Sequence, residues 1–222
     1  MANTNTQTLK HSNKLSNYNK ETTIRISELD GHAEVWTTMS STMTKCKSHT
    51  PTETVLYADG TTYSKSWELP TKCVTIRPAA SVGAATLPKL SGKSRPEVIK
   101  ALKAAGVHIY HMQDLDDDEP YRGPCPEERE TIINYVQGED TAYVDCAWPA
   151  ELVKIIKKGY VPKMLGTNNK ETDLWEASFE MPVNAISIKS AQSSGAKKAP
   201  SAEAIKRGIE NLKKGREAKK NS

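Results

Sequence analysis

From residue 22 to 27 the chain alternates, with Thr23 and Arg25 polar and Ile24 and Ile26 apolar, and a period of two predicts a strand. Asp30-Gly31 is a hairpin signal, and 33–38 reads as the return strand. The period then lengthens. In "PAELVKIIKKG" (149–159), Leu152, Ile155 and Ile156, with Val153 at the margin, form one apolar stripe, while Lys154, Lys157 and Lys158 face water. Pro149 suits a first helical turn and Gly159 a C-terminal stop. Met43 and Cys46 occupy the same stripe earlier in the chain, among weaker helix formers.

These patterns occur twice. With an offset of 109, Ile24 meets Ile133, Ala33 meets Ala142, Val35 meets Val144 and Met43 meets Leu152. The second copy then gains three residues in a polar turn, where insertions are tolerated. With an offset of 112, Trp67-Glu68-Leu69-Pro70 meets Phe179-Glu180-Met181-Pro182, and Val74 and Ile76 meet Ile186 and Ile188. A second hairpin is expected around Asp59-Gly60 and around Asn168-Asn169, each ending at a proline that cannot donate to a ladder, before a last short strand in "CVTIR" or "AISIK". The pattern therefore predicts an α+β chain of two tandem small modules, β-β-α-β-β-β, each followed by a linker and a helix. The expected organisation is a disordered tail over 1–21, a first module over 22–79, and a linker over 80–129 with a helix at 94–105 and an acidic spacer. A second module over 130–191 and a basic linker with a C-terminal helix over 192–222 complete it.

The helix at 94–105 has Ser94 and Glu97 spaced as a capping box and Gly106 as its stop. Beyond it, "VHIYHM" alternates like a strand, which sends His108 and His111 to opposite faces. A metal site built from His108, His111, Asp114 and Asp117 is the weaker alternative for this stretch. The acidic run to Glu119 lacks the glycine and distal glutamate of a calcium loop, and "EPYRGPCPEE" reads as linker.

Composition narrows the function classes. Hydrophobic residues are 36% of 222 and aromatics 6%, with one phenylalanine, which suits modest cores. The net charge of +4 is uneven: residues 189–222 carry ten basic and three acidic side chains, so the rest of the chain is slightly acidic. The polar N-terminal stretch does not read as a signal peptide, and no run of about 18 apolar residues is present to cross a membrane. Cys46, Cys73, Cys125 and Cys146 show no C-x-x-C spacing and are expected as reduced thiols, mostly buried. No phosphate-loop, dinucleotide or nucleophile-elbow motif occurs. A Cys46–His49 nucleophile pair is disfavoured because Cys46 falls on the core stripe. No catalytic residue and no cofactor is expected.

Two features are left for binding. Lys206, Arg207, Lys213, Lys214, Arg216, Lys219 and Lys220 could meet phosphates, each contact adding salt dependence. Against that, Glu203/Arg207 and Glu210/Lys214 have the i,i+4 spacing of a self-paired exposed helix. Trp67 aligns with Phe179 and is expected in the core, whereas Trp36 aligns with Asp145 and is the candidate anchor for a partner.

The ending Leu69-Pro70-Thr71-Lys72-Cys73-Val74-Thr75-Ile76-Arg77-Pro78, after two hairpins and a helix, resembles small uncharacterised proteins of bacteriophages and of prophages in Gram-positive bacteria, whose modules close on V-P-x-x-x-V-x-I-R-x-P. The second copy keeps Met181-Pro182 and Ile186-Ser187-Ile188-Lys189 but has Ser190 in place of Pro78. The resemblance covers each module once, and this chain differs in being double. It implies a phage or prophage accessory protein in the host bacterial cytoplasm, binding a host or phage macromolecule without catalysis, with anti-defence or host-takeover roles in view. The alternatives are a nucleic-acid-binding protein using the C-terminal helix, a virion-associated structural protein, or a metal-dependent enzyme using the stretch from His108 to Glu119.

Overall fold

The computed structural model describes residues 5–9, 15–16, 19–83, 93–111, 123–168 and 170–189. Over these residues the fold is α+β: a large, mostly antiparallel sheet with three helices. The strands are β1 (Asn5–Thr8), β2 (Glu21–Ser27), β3 (His32–Thr37), β4 (Glu53–Leu56), β5 (Thr62–Pro70), β6 (Val74–Ile76), β7 (His108–His111), β8 (Glu130–Val136), β9 (Thr141–Cys146), β10 (Met164–Thr167), β11 (Leu174–Pro182) and β12 (Ile186–Ile188). The helices are α1 (Ser40–Cys46), α2 (Arg95–Ala104) and α3 (Pro149–Lys157).

Ten strands make one sheet in the order β1-β4-β5-β3-β2-β8-β9-β11-β10-β7, and β6 pairs with β12 in a second, two-stranded sheet. The order β-β-α-β-β-β occurs over 21–76 and again over 130–188. These two stretches do not stand apart as separate small sheets. β2 and β8 lie antiparallel, and Ile24 pairs with Ile133. At the small sheet Thr75 pairs with Ser187. Bonds flanking both seams come in matched pairs: Gln137 N–H to Lys20 O and Glu28 N–H to Arg129 O at one, Arg77 N–H to Ala185 O and Lys189 N–H to Cys73 O at the other.

Two sequence expectations need correction. The tail expected over 1–21 supplies β1, a parallel edge strand on β4. Its residues are exposed, so no apolar alternation marks it; the unpaired backbone edge of β4 holds it instead. The linker expected over 80–129 supplies β7, which pairs in parallel with β10 at the opposite edge. The acidic half of that spacer lies outside the described residues.

Local chemistry explains the elements. Gly31, Gly60, Gly106 and Gly159 all carry positive φ at hairpin turns or helix ends, where a side chain would be strained. Ser94 and Glu97 close the capping box of α2. The Asn168 side chain accepts from the Thr172 and Asp173 amides and organises the turn before β11. Pro70 and Pro182 end β5 and β11, and each leads into a 3₁₀ turn, Thr71–Cys73 or Val183–Ala185.

One face of the large sheet carries the core. Ile24, Val35, Trp67, Leu69, Ile133, Val144, Phe179 and Met181 are buried there with Leu152, Ile155 and Ile156 of α3 and Val98, Ile99 and Leu102 of α2. Val74, Ile76, Ile186 and Ile188 of the small sheet join the same core. A buried hydroxyl cluster crosses the seam: Thr22 Oγ1 lies 2.6 Å from Thr37 Oγ1 and 3.1 Å from Thr42 Oγ1, which is 3.1 Å from the Tyr135 hydroxyl.

Candidate binding face

The other face of the sheet is built by the intervening residues of the same strands. Because register is continuous through the seam, these side chains line up in rows. One row runs Glu68, Glu34, Arg25, Ile132, Asp145, Ser178, Met164, His108 from β5 to β7. The next runs Ser66, Trp36, Thr23, Asn134, Tyr143, Glu180. No described helix covers either row: Tyr143 is 48% and Met164 46% exposed, the most exposed large apolar side chains of the described residues apart from Leu29.

Three shallow depressions lie along this face. One of about 330 Å³ is lined by Trp36, Thr23, Arg25, Glu34, Ser66 and Glu68. A second of about 290 Å³ shares Arg25, Glu34 and Glu68 and extends to Asp30 and His32. A third of about 320 Å³, beyond the seam, is lined by Tyr110, Glu130, Ile132, Asp145, Met164 and Glu176. The floor is tied down by polar contacts. Arg25 Nε donates to Glu130 at 2.5 Å, and its guanidinium lies 3.8 Å from Glu34, so the central cation is already matched. Thr23 donates to Asn134 at 2.8 Å, and Ser178 to Asp145 at 2.6 Å. The Tyr110 hydroxyl donates to Glu176; burial, followed by that carboxylate, pushes the phenol well above its ordinary range.

Of the residues singled out in the sequence, Trp36 stands on this face, half-buried, and Trp67 is in the core. His108 and His111 sit in β7 three residues apart, which alternation assigns to opposite faces. His111 bonds Glu171 at 3.2 Å, which also takes Lys103 at 2.8 Å, and the hydrogen bonds from Lys103 and then from His111 hold the Glu171 carboxyl below its ordinary range. Asp114 and Asp117 lie outside the described residues, as do Lys206, Arg207, Lys213, Lys214, Arg216, Lys219 and Lys220. Among the described residues, no group of three or more His, Cys, Asp and Glu is placed to hold a metal ion. Cys46 is buried, and that burial pushes its thiol up to about 11, far from a nucleophile's range. The His49 ring instead meets the Lys189 carbonyl at 3.1 Å.

Sequence reasoning missed Tyr110, Tyr143, Met164 and the carboxylate rows. The alternation of "TAYVDC" puts Tyr143 opposite Ala142 and Val144, a signal that was available. Met164 has none, since its exposure follows from where β10 pairs. No protein-family model, curated protein or solved structure matches the chain. Among the described residues, no helix is long and apolar enough to cross a membrane.

Proposed function

We propose that this is a duplicated, non-enzymatic binding protein that offers the open face of its sheet to a macromolecular partner, as a phage or prophage accessory protein acting in the bacterial cytoplasm. One observation carries the reading: among the described residues, a sheet ten strands wide carries its buried core on one face, and the face that no described helix covers holds a run of three depressions with Trp36, Tyr143 and Met164 among carboxylates. Aromatic side chains and methionine are the residues that protein interfaces enrich. The duplication is supported by the seam, where Ile24 and Ile133, equivalent by the offset of 109, pair with each other. Joining two copies edge to edge doubles the width of the face without adding a repeated polar constellation for chemistry. The phage assignment is supported by the closing motif of the first copy, Leu69 to Pro78, which the second copy keeps in part, at Pro182 and Ile186 to Lys189.

Capture from bacterial lysate on the full-length chain, compared with a Trp36→Ala, Met164→Glu variant of equal stability, tests this. Partners recovered with the natural chain and lost with the variant are expected. Equal recovery with both would move binding off the sheet face. If duplex or single-stranded nucleic acid binds the full-length chain at near-physiological salt equally well with and without these changes, the alternative reading through the basic C-terminal residues replaces it.

A further inference from the structure

We infer that the partner of this face is a cationic polypeptide segment laid across the strands, a reading that rests on the binding face proposed above. Among the described residues, Glu34, Glu68, Glu130, Asp145, Glu176 and Glu180 all stand on the side of the sheet that no described helix covers, against Arg25 and Lys163. Both cations are already held within the face, Arg25 by Glu130 and Lys163 by Glu180 at 2.9 Å. Glu68 has no side-chain partner among the described residues. The face thus presents an excess of negative charge, which repels a phosphate backbone and attracts lysine and arginine.

The placement of the charge gives the segment its direction. Glu68 and Glu180 are equivalent by the offset of 112 and stand on β5 and β11, with β3, β2, β8 and β9 between them. Five strand spacings separate them by about 24 Å, the reach of about seven or eight extended residues. Between these ends lie Glu34 and Asp145 on one row and Trp36 and Tyr143 on the next. Acidic groups and aromatic faces set side by side suit guanidinium and ammonium groups, which pair with carboxylates and stack on rings. An extended strand with basic residues on alternate positions meets both rows.

Fluorescence anisotropy on the full-length chain tests this with three labelled peptides of about eight residues: alternating Arg and Ala, alternating Gln and Ala, and alternating Glu and Ala. The Arg peptide is expected to bind alone of the three, and to weaken at least about tenfold when salt is raised from about 0.02 M to about 0.3 M. A Glu68→Gln, Asp145→Asn, Glu180→Gln variant, its fold checked by urea unfolding, is expected to lose at least about tenfold in affinity. Trp36→Ala is expected to weaken the same peptide, because the ring supplies the stacking surface. Equal affinity in the carboxylate variant and the natural chain overturns the proposal. Binding of the Gln peptide that needs Trp36 but not the carboxylates also overturns it, while leaving the binding face itself standing. Self-association that Met164→Glu abolishes would assign the face to a second copy of the chain, again overturning the cationic partner. Absence of all peptide binding, with the lysate capture still dependent on Trp36, separates failure of this inference from failure of the binding-face reading.

Discussion

Ile24 and Ile133 pair with each other across the seam between β2 and β8, and neither is exposed to solvent. They stand 109 residues apart, each the fourth residue of its strand. An antiparallel pair in which a residue faces its own equivalent is the geometry of an isologous dimer interface. Here it lies inside one chain. Ser187 and Thr75 repeat the relationship in the small sheet.

Truncating either isoleucine should weaken the fold as a whole. Ile24→Ala and Ile133→Ala are each expected to lower unfolding stability by about 2–5 kcal/mol, through lost burial and the cavity left behind. Because the two side chains are direct cross-strand neighbours, the double variant should deviate from the sum of the singles. Urea unfolding of all four proteins reads both effects. Additive costs would mean that the seam carries no direct contact.

Cutting the chain between β6 and α2 should leave two fragments that need each other. Residues 1–83 hold β1 to β6, and residues 93–222 hold β7 to β12. Each fragment alone would bare a seam strand with Ile24 or Ile133 at its centre, a hazard for aggregation. Co-expressed, they are expected to form a one-to-one complex on size exclusion, as the pairings of β2 with β8 and β6 with β12 are rebuilt. Two well-behaved separate monomers would contradict the single sheet.

The hydroxyl cluster should behave as one unit. Thr22→Val removes the group that stands between Thr37 and Thr42 and leaves those hydroxyls buried with fewer partners. A loss of about 1–3 kcal/mol is expected, the scale for stranding a buried polar group. Tyr135→Phe should cost less, because Thr42 keeps Thr22. The reverse order, measured by thermal or urea unfolding, would place the main polar link on Tyr135.

Two buried thiols should make the fold sensitive to alkali. Burial pushes Cys46 and Cys146 each up to about 11, from an ordinary value of 9.0. A thiol raised in the folded state keeps its proton there after the unfolded chain has lost it. Its stabilising effect is complete below pH 9 and falls away as pH rises from 9 towards 11. The slope is up to about 1.4 kcal/mol per pH unit for each thiol. Cys46→Ala with Cys146→Ala should flatten that slope. Among the four cysteines Cys125 is the exposed one, so a thiol reagent at neutral pH should modify Cys125 first and reach Cys46, Cys73 and Cys146 only on unfolding. A flat stability profile from pH 9 to 11 in the natural chain would show that these thiols titrate alike folded and unfolded.

Much of the fold was legible because local rules dominate where one face is buried. The alternation around Ile24, the stripe Leu152, Ile155 and Ile156, and the capping box of Ser94 and Glu97 each name an element from a few neighbouring residues. β1 was illegible, since Asn5 to Thr8 have no buried side chain and hold their place by backbone pairing to β4. Trp36 could be singled out because its repeat partner is Asp145, a mismatch that a core position would not accept. Glu68, Asp145 and Glu180 carry no local signal that joins them, because they are far apart in the chain.

The sequence alone determined the α+β composition, the order of elements over 21–76 and over 130–188, the turns and the buried stripes, since all of these follow from the spacing of apolar residues and from glycine and proline. Only the tertiary structure decided that the stretches 21–76 and 130–188 share one sheet, that β1 and β7 form its two edges, and that the acidic and aromatic positions fall on one face that no described helix covers. The physical reason is that backbone hydrogen bonds between strands are nearly blind to side-chain identity. Which strand meets which, and in what register, is settled by the packing of the whole core against α2, α3 and the small sheet, and no local stretch of sequence contains that sum.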